Sequence, residues 1–175
     1  YGPEHLLRAM PRIISEFPDI RLTMLIGPNA TGGMPDFKQM INLAASLGIS
    51  DKISFIDTCL GPVELSNQMN KSDIVFSLNA GDPGIAITSI QGIMCGCIVF
   101  VSDNNAIKEI IDGENGFKVK HDSNEIADKT IFALKNREAL KQKFYQANEK
   151  SFLDLSDDHI VPQLLNVYMD NGIIK

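Results

Sequence analysis

The residues of this chain that could do chemistry sit where apolar runs end. Gly84-Ile85-Ala86 follows a small, polar stretch, Asn79 to Gly84, and leads into the apolar run Ile85 to Cys95. A helix opening there has free backbone N–H groups at its start. Those groups and the helix dipole favour an anion such as a phosphate. A glycine at the opening lets backbone and ligand come close. The same residues also fit an ordinary loop-to-helix turn. Asp57-Thr58 closes a second apolar run, Lys52 to Ile56, and places polar groups at a strand end. A solvated turn fits that pair equally well.

Other reactive residue types lack the spacing their chemistry needs. Gly32-Gly33 is not followed by Lys until Lys38 and has no G-x-x-x-x-G-K pattern, so it reads as a connecting loop and not a Walker loop. His5, His121 and His159 are scattered, with no partner at ligand spacing, so neither a metal site nor a histidine base is expected. Cys95-x-Cys97 is not a C-x-x-C pair, and both thiols are expected in the core. Asn29-Ala30-Thr31 and Asn70-Lys71-Ser72 have the form of glycosylation sequons, which carry no meaning in a cytosolic chain.

The elements that must position these residues alternate. Helical spacing covers Glu4 to Phe17 (with Pro11 inside), Asp36 to Leu47 with Gly48 as its stop, Pro62 to Asn70, Ile85 to Cys95 and Ala106 to Ile111. Strands are predicted at Arg21 to Ile26, Lys52 to Ile56, Asp73 to Leu78, Ile98 to Val101 and Phe117 to Val119. The rest, from Asn124, reads as three helices: Asn124 to Asn136, Arg137 to Phe152 and Asp157 to Asp170. The last carries an apolar stripe of Ile160, Leu164, Leu165 and Tyr168. The strands are continuous apolar runs, which indicates a parallel sheet of five or six strands covered by helices on both faces, an α/β fold. Ligands of such sheets bind at the carboxyl ends of the strands.

Composition bounds the rest. A chain of 175 residues with 44% hydrophobic and 22% charged residues reads as one ordinary globular domain, residues 1–175. Net charge is -6 and no basic stripe is present, which argues against a nucleic-acid partner. No apolar run approaches the length of a membrane span. Three cysteines, an odd number, favour a reduced, cytoplasmic setting over a disulfide framework. The chain starts at Tyr1 without Met and reads as a piece of something longer.

A family resemblance emerges from Pro83 to Gly116. Gly84-Ile85-Ala86-Ile87, then Gln91-Gly92-Ile93-Met94-Cys95-Gly96, then Ile98-Val99-Phe100-Val101-Ser102-Asp103 resemble the donor-binding core of the group 1 glycosyltransferases. That family has two Rossmann-like domains, the GT-B architecture, and retains configuration at the transferred sugar. Asp112-Gly113-Glu114-Asn115-Gly116 is similar to its D-G-x-x-G motif, and Glu109 holds the last position of its G-G-x-x-E segment. Tyr1-Gly2 with Leu6, Leu7 and Ala9 resembles its K-G-x-x-x-L-L-x-A, and Leu47 to Phe55 its L-G-L-x-D-x-V-x-F.

The resemblance implies the C-terminal half of such an enzyme. It implies a nucleotide-diphosphate sugar as donor, no cofactor and no metal, and a glycan or lipid-linked acceptor held by an N-terminal domain. It also implies glycan or polysaccharide biosynthesis, and peripheral membrane contact by the full protein. The implied donor contacts are Gly84, Ile85 and Ala86 at the diphosphate, backbone near Asp57 and Thr58 at the base, and Glu109 in a structural or sugar-side role. Departures accompany the match. Pro83 and Gln91 occupy the two glutamate positions of E-x7-E, with Asp82 beside the first, and Gln91 can still accept a hydrogen bond. Tyr1 replaces the lysine of K-G, and Asn105-Ala106 replaces Gly-Gly. These losses also fit a non-catalytic binding or scaffold domain. A GT-B sugar epimerase is a further alternative, without support from the scattered histidines.

Overall fold

The computed structural model describes residues 2–25, 37–78, 85–103 and 108–154, and beyond them residues 161–162, 165–166 and 169. In chain order the elements are α1 (Gly2–Glu16), β1 (Leu22–Leu25), α2 (Phe37–Ser46), a 3-10 turn (Ser50–Lys52), β2 (Ile53–Ile56), α3 (Pro62–Met69), β3 (Ile74–Ser77), α4 (Ile87–Met94), β4 (Ile98–Ser102), β5 (Phe117–Val119), α5 (Ser123–Lys135) and α6 (Arg137–Asp154). Every strand pairing is parallel, with Leu22 opposite Ile53, Ile74 opposite Ile98, and Phe100 opposite Phe117.

Among the described residues the strands form two ladders, β1-β2 and β3-β4-β5. One core cluster joins them. It contains Met24 and Ile53 from the first ladder and Ile98, Phe100, Phe117 and Val119 from the second.

The alternation of side chains along β4 builds the layers. All five of its residues are buried, as its unbroken apolar run requires. Ile98 and Phe100 face the large core with α1, α5 and α6, while Val99 and Val101 face a smaller cluster with Ile93 of α4 and Ile110. Phe100 is the centre, with its ring 4.9 Å from Phe76 and 4.9 Å from Phe117.

Helix α1 buries Leu6, Leu7, Ala9, Met10 and Ile13 on one stripe and leaves Pro11 exposed. Two ion pairs, Arg12 with Asp128 and Lys135 with Glu16, tie it to α5. Its first turn rests on the end of β3. A Cβ built on Gly2 would lie 2.1 Å from the Leu78 carbonyl oxygen, so only glycine fits there.

Two expected elements change. Of the predicted helix Ala106 to Ile111, the described residues 108–111 are not helical. The Asn115 side chain accepts the Ile111 amide at 2.7 Å and donates to the Glu109 carbonyl at 2.8 Å, claiming backbone groups a helix would use. The helix expected from Ile85 begins at Ile87, because Ala86 is extended with φ -69° and ψ 144°. Thiol packing also differs from expectation. Cys97 is buried and its Sγ donates to the Met69 and Ser72 carbonyls, but Cys95 is only half-buried. Burial pushes the Cys97 thiol up to about 11, so it stays protonated at neutral pH.

Candidate functional site

Parallel pairing puts the carboxyl ends of β3, β4 and β5 on one edge, at Ser77-Leu78, Ser102 and Val119. β1 and β2 end together at Leu25 and Ile56. Asp57 and Thr58 follow directly on β2 and are exposed. The loop beyond them enters α3 with Pro62 at the first helical position, and the Glu64 carboxylate accepts the Gly61 amide at 2.8 Å.

The opening of α4 presents amides. The Ser89 and Ile90 amides bond to the Ala86 carbonyl, at 2.9 and 3.3 Å. Ala86 is the N-cap and has no side-chain capping bond, so among the described residues the Ile87 and Thr88 amides have neither an intrahelical acceptor nor a side-chain cap. Ile85 and Ala86 lead into this turn in half-buried positions. Gln91 lies one turn on, half-buried. Asp82, Gly84 and Asn105 lie outside the described residues, as do Gly32-Gly33 and His159.

Helix α4 can lie close to β3 because Gly92 faces Val75, where a Cβ would come within 3.0 Å of the valine Cβ. One turn toward the helix start on that same face is Ser89. It is 0% exposed and its hydroxyl has no hydrogen-bond partner. Two adjacent hydroxyl residues, Thr88 and Ser89, break the run Ile87 to Met94, and nothing in the sequence marks Ser89 as the buried one.

Glu109 is exposed, on a bend and not a helix. Its place is set by the segment that matches D-G-x-x-G, which is structural. Besides the two Asn115 bonds, Gly113 takes a positive φ of 75°, Asp112 accepts the Lys118 amide at 2.9 Å, and the buried Asn148 of α6 donates to the Asn115 carbonyl at 2.9 Å. Asn115 thus fixes the backbone that carries Glu109.

The histidines require a correction. His5 and His121, far apart in sequence, stack with ring centroids 6.0 Å apart and planes inclined by 27°. His121 Nε2 lies 2.9 Å from Ser102 Oγ at the end of β4. Burial, with His5 adding to it, holds the His121 imidazole below its ordinary pKa. Tertiary packing alone makes this cluster, so residue spacing could not reveal it. Among the described residues no three His, Cys, Asp or Glu side chains converge as metal ligands, and no helix is long and apolar enough to cross a membrane.

Fold and edge together define a Rossmann-like α/β domain whose helix α4 opens beside the carboxyl ends of its strands. Comparison with known proteins places it. The family described as glycosyl transferases group 1 matches residues 1–151, and the chain belongs to that family. It is 24% identical over 176 residues to a phosphatidyl-myo-inositol mannosyltransferase of Mycobacterium tuberculosis, covering 95% of this chain and 43% of that protein. It is 23% identical over 169 residues to an N-acetyl-alpha-D-glucosaminyl L-malate synthase of Bacillus anthracis, covering 95% of this chain and 42% of that protein. The chain thus spans under half the length of these relatives.

Two solved structures share the fold. The C-terminal domain of a group 1 family glycosyl transferase (LpcC) from Francisella tularensis superposes with a TM-score of 0.72 at 23% identity, over 86% of this chain and 79% of that one. Anabaena Alr3699/HepE in complex with UDP-glucose gives a TM-score of 0.80 at 15% identity, over 95% of this chain and 44% of that one. The fold is that of a GT-B glycosyltransferase domain.

Proposed function

We propose that this chain is the donor-binding domain of a glycosyltransferase. It would hold a nucleotide-diphosphate sugar at the carboxyl edge of its strands for transfer to a glycan or lipid-linked acceptor. The observation that carries the reading is the opening of α4, which has no side-chain cap and whose first amides suit a diphosphate. Asp57 and Thr58 would meet the base, Gln91 the ribose, and Glu109 the sugar side, with Asp82, Gly84 and Asn105 as further contacts. The structure of HepE with UDP-glucose supports a nucleotide sugar as the ligand class.

In this reading the domain contributes orientation of the donor and stabilisation of the leaving diphosphate by fixed amide dipoles. No metal or cofactor is needed for either task. The acceptor site belongs to an N-terminal domain of the full protein, which works in the cytoplasm, in peripheral contact with a membrane, in glycan or polysaccharide biosynthesis.

Titration calorimetry of the chain with UDP and GDP tests the reading. Saturable binding of one of them is expected. Stability should then rise by about 2.7 kcal/mol at a ligand concentration 100 times Kd. Failure of both nucleotides to bind at millimolar concentration would sink it. Donor hydrolysis by the full-length protein then separates an enzyme from a scaffold, since a scaffold binds without turnover.

A further inference from the structure

Two imidazoles from different elements meet at the carboxyl edge of the three-stranded sheet. His5 stands in the first turn of α1, which is seated on β3 by the contact of Gly2 with Leu78. His121 follows β5 and touches Ser102, the last residue of β4, at 2.9 Å. The Ser102 hydroxyl can donate to a neutral Nε2 or accept from a protonated one, so this anchor serves both states of the ring. The rings stack 6.0 Å apart, close enough for each charge to act on the other.

The charged and titratable groups on the elements that meet here are Glu4 and Arg8 of α1, Asp103 after β4, Lys118 of β5, and Lys120 and Asp122 beside His121. Asp122 spends its Oδ1 on the Glu125 amide as the cap of α5. Burial displaces the pKa of the His121 ring downward, and the neighbouring His5 adds to it. Burial thus favours the neutral form of the His121 ring in this pair. The pair lies where ligands of parallel sheets bind.

We propose that the His5–His121 pair is a proton-linked anion contact, taking up one proton from solvent when a phosphate-bearing ligand binds at this edge. The proton goes to the His121 ring, whose Nε2–H then donates to Ser102 Oγ. A nearby phosphate charge favours the imidazolium, and by linkage the imidazolium favours the phosphate. Ligand affinity therefore rises as pH falls from 8 to 6. The proposal rests on the donor-domain reading for its nucleotide form only, because any phosphate group supplies the charge.

The test is an NMR titration of the His5 and His121 ring protons from pH 5 to 8.5, run alone, with inorganic pyrophosphate, with UDP and with GDP. The expected result is a rise in the His121 pKa of at least about half a unit with ligand, equivalent to about threefold tighter binding to the protonated form. Calorimetry in two buffers should show proton uptake on UDP binding that His121→Gln abolishes, while the fold of that variant is checked by its amide spectrum. If UDP moves the Ile87 and Thr88 amides but leaves His121 unchanged, the proposal is overturned and the donor reading stands. If pyrophosphate raises the His121 pKa and neither UDP nor GDP binds, the proposal stands and the donor reading falls. If pyrophosphate, UDP and GDP all leave these signals unmoved, both fall.

Discussion

Gly2→Ala is the sharpest test of how the edge is assembled. The new Cβ would stand 2.1 Å from the Leu78 oxygen, 2.3 Å from the Leu78 Cβ and 2.8 Å from the Leu78 carbonyl carbon. Ordinary contacts are near 3.5 Å, so α1 and the end of β3 must separate by about 1 Å or more. The obstacle is partly backbone, which cannot turn aside as a side-chain tip can. Overpacking costs about 1–3 kcal/mol, and a backbone clash belongs at the upper end. Alanine returns up to about 1 kcal/mol of helix propensity, less in a first turn. The net expectation is a loss of about 2 kcal/mol, which for a chain of this size lowers Tm by roughly 4–8 °C. Urea unfolding should show a lower midpoint with an unchanged slope. The displaced turn carries His5, so the His5–His121 ring contact should weaken in the same variant. A variant as stable as the parent, or more so, would refute the seating of α1 on β3.

Three further perturbations follow. Phe100→Ala removes the ring between Phe76 and Phe117 and should cost about 3–5 kcal/mol by chemical denaturation. Ser89→Ala removes a buried hydroxyl that has no partner, so thermal unfolding should show a gain of up to about 1 kcal/mol, where most buried substitutions lose stability. Asp73 is held below its ordinary pKa. Burial alone would raise it, but the hydrogen bond and charge of Lys141, with Arg137, outweigh that. Its stabilisation is therefore present above the unfolded carboxylate range and is lost as pH falls through the folded value. Asp73→Asn should cost under about 1 kcal/mol at pH 7, because the pairs are partly exposed, and should flatten the stability profile below about pH 4.

Much of the fold was legible because burial writes itself into residue type. The run Ile98 to Val101 announced a strand covered on both faces, and all four residues are buried, with Ser102 extending the strand by one. Gly48, Gly96 and Gly113 punctuated the chain where positive φ is needed, at 69°, 73° and 75°. Pro62 marked the start of α3. What escaped depended on side chains acting across the chain. Asn115 took the backbone groups that would have made a helix near Ile111, and nothing in the helical spacing of Ala106 to Ile111 shows that competitor. The opening of α4 was placed two residues early because Ala86 caps it without the Ser, Thr, Asp or Asn that marks a helix start. The candidate site was half legible. Its amide-bearing turn followed from a glycine before an apolar helix, but Ser89 and the His5–Ser102–His121 cluster exist only once the strands and α1 are packed.

The central claim is that a nucleotide diphosphate binds at the carboxyl edge of the strands, on the opening of α4. An amide-resolved NMR titration of the chain with UDP and with GDP measures this most directly. The account predicts saturable shifts at Ile85, Ala86, Ile87 and Thr88 and at Asp57 and Thr58, with Asp73, Gly96 and Lys141 unmoved. Shifts confined to those last three residues, or no shifts with either nucleotide, would contradict it.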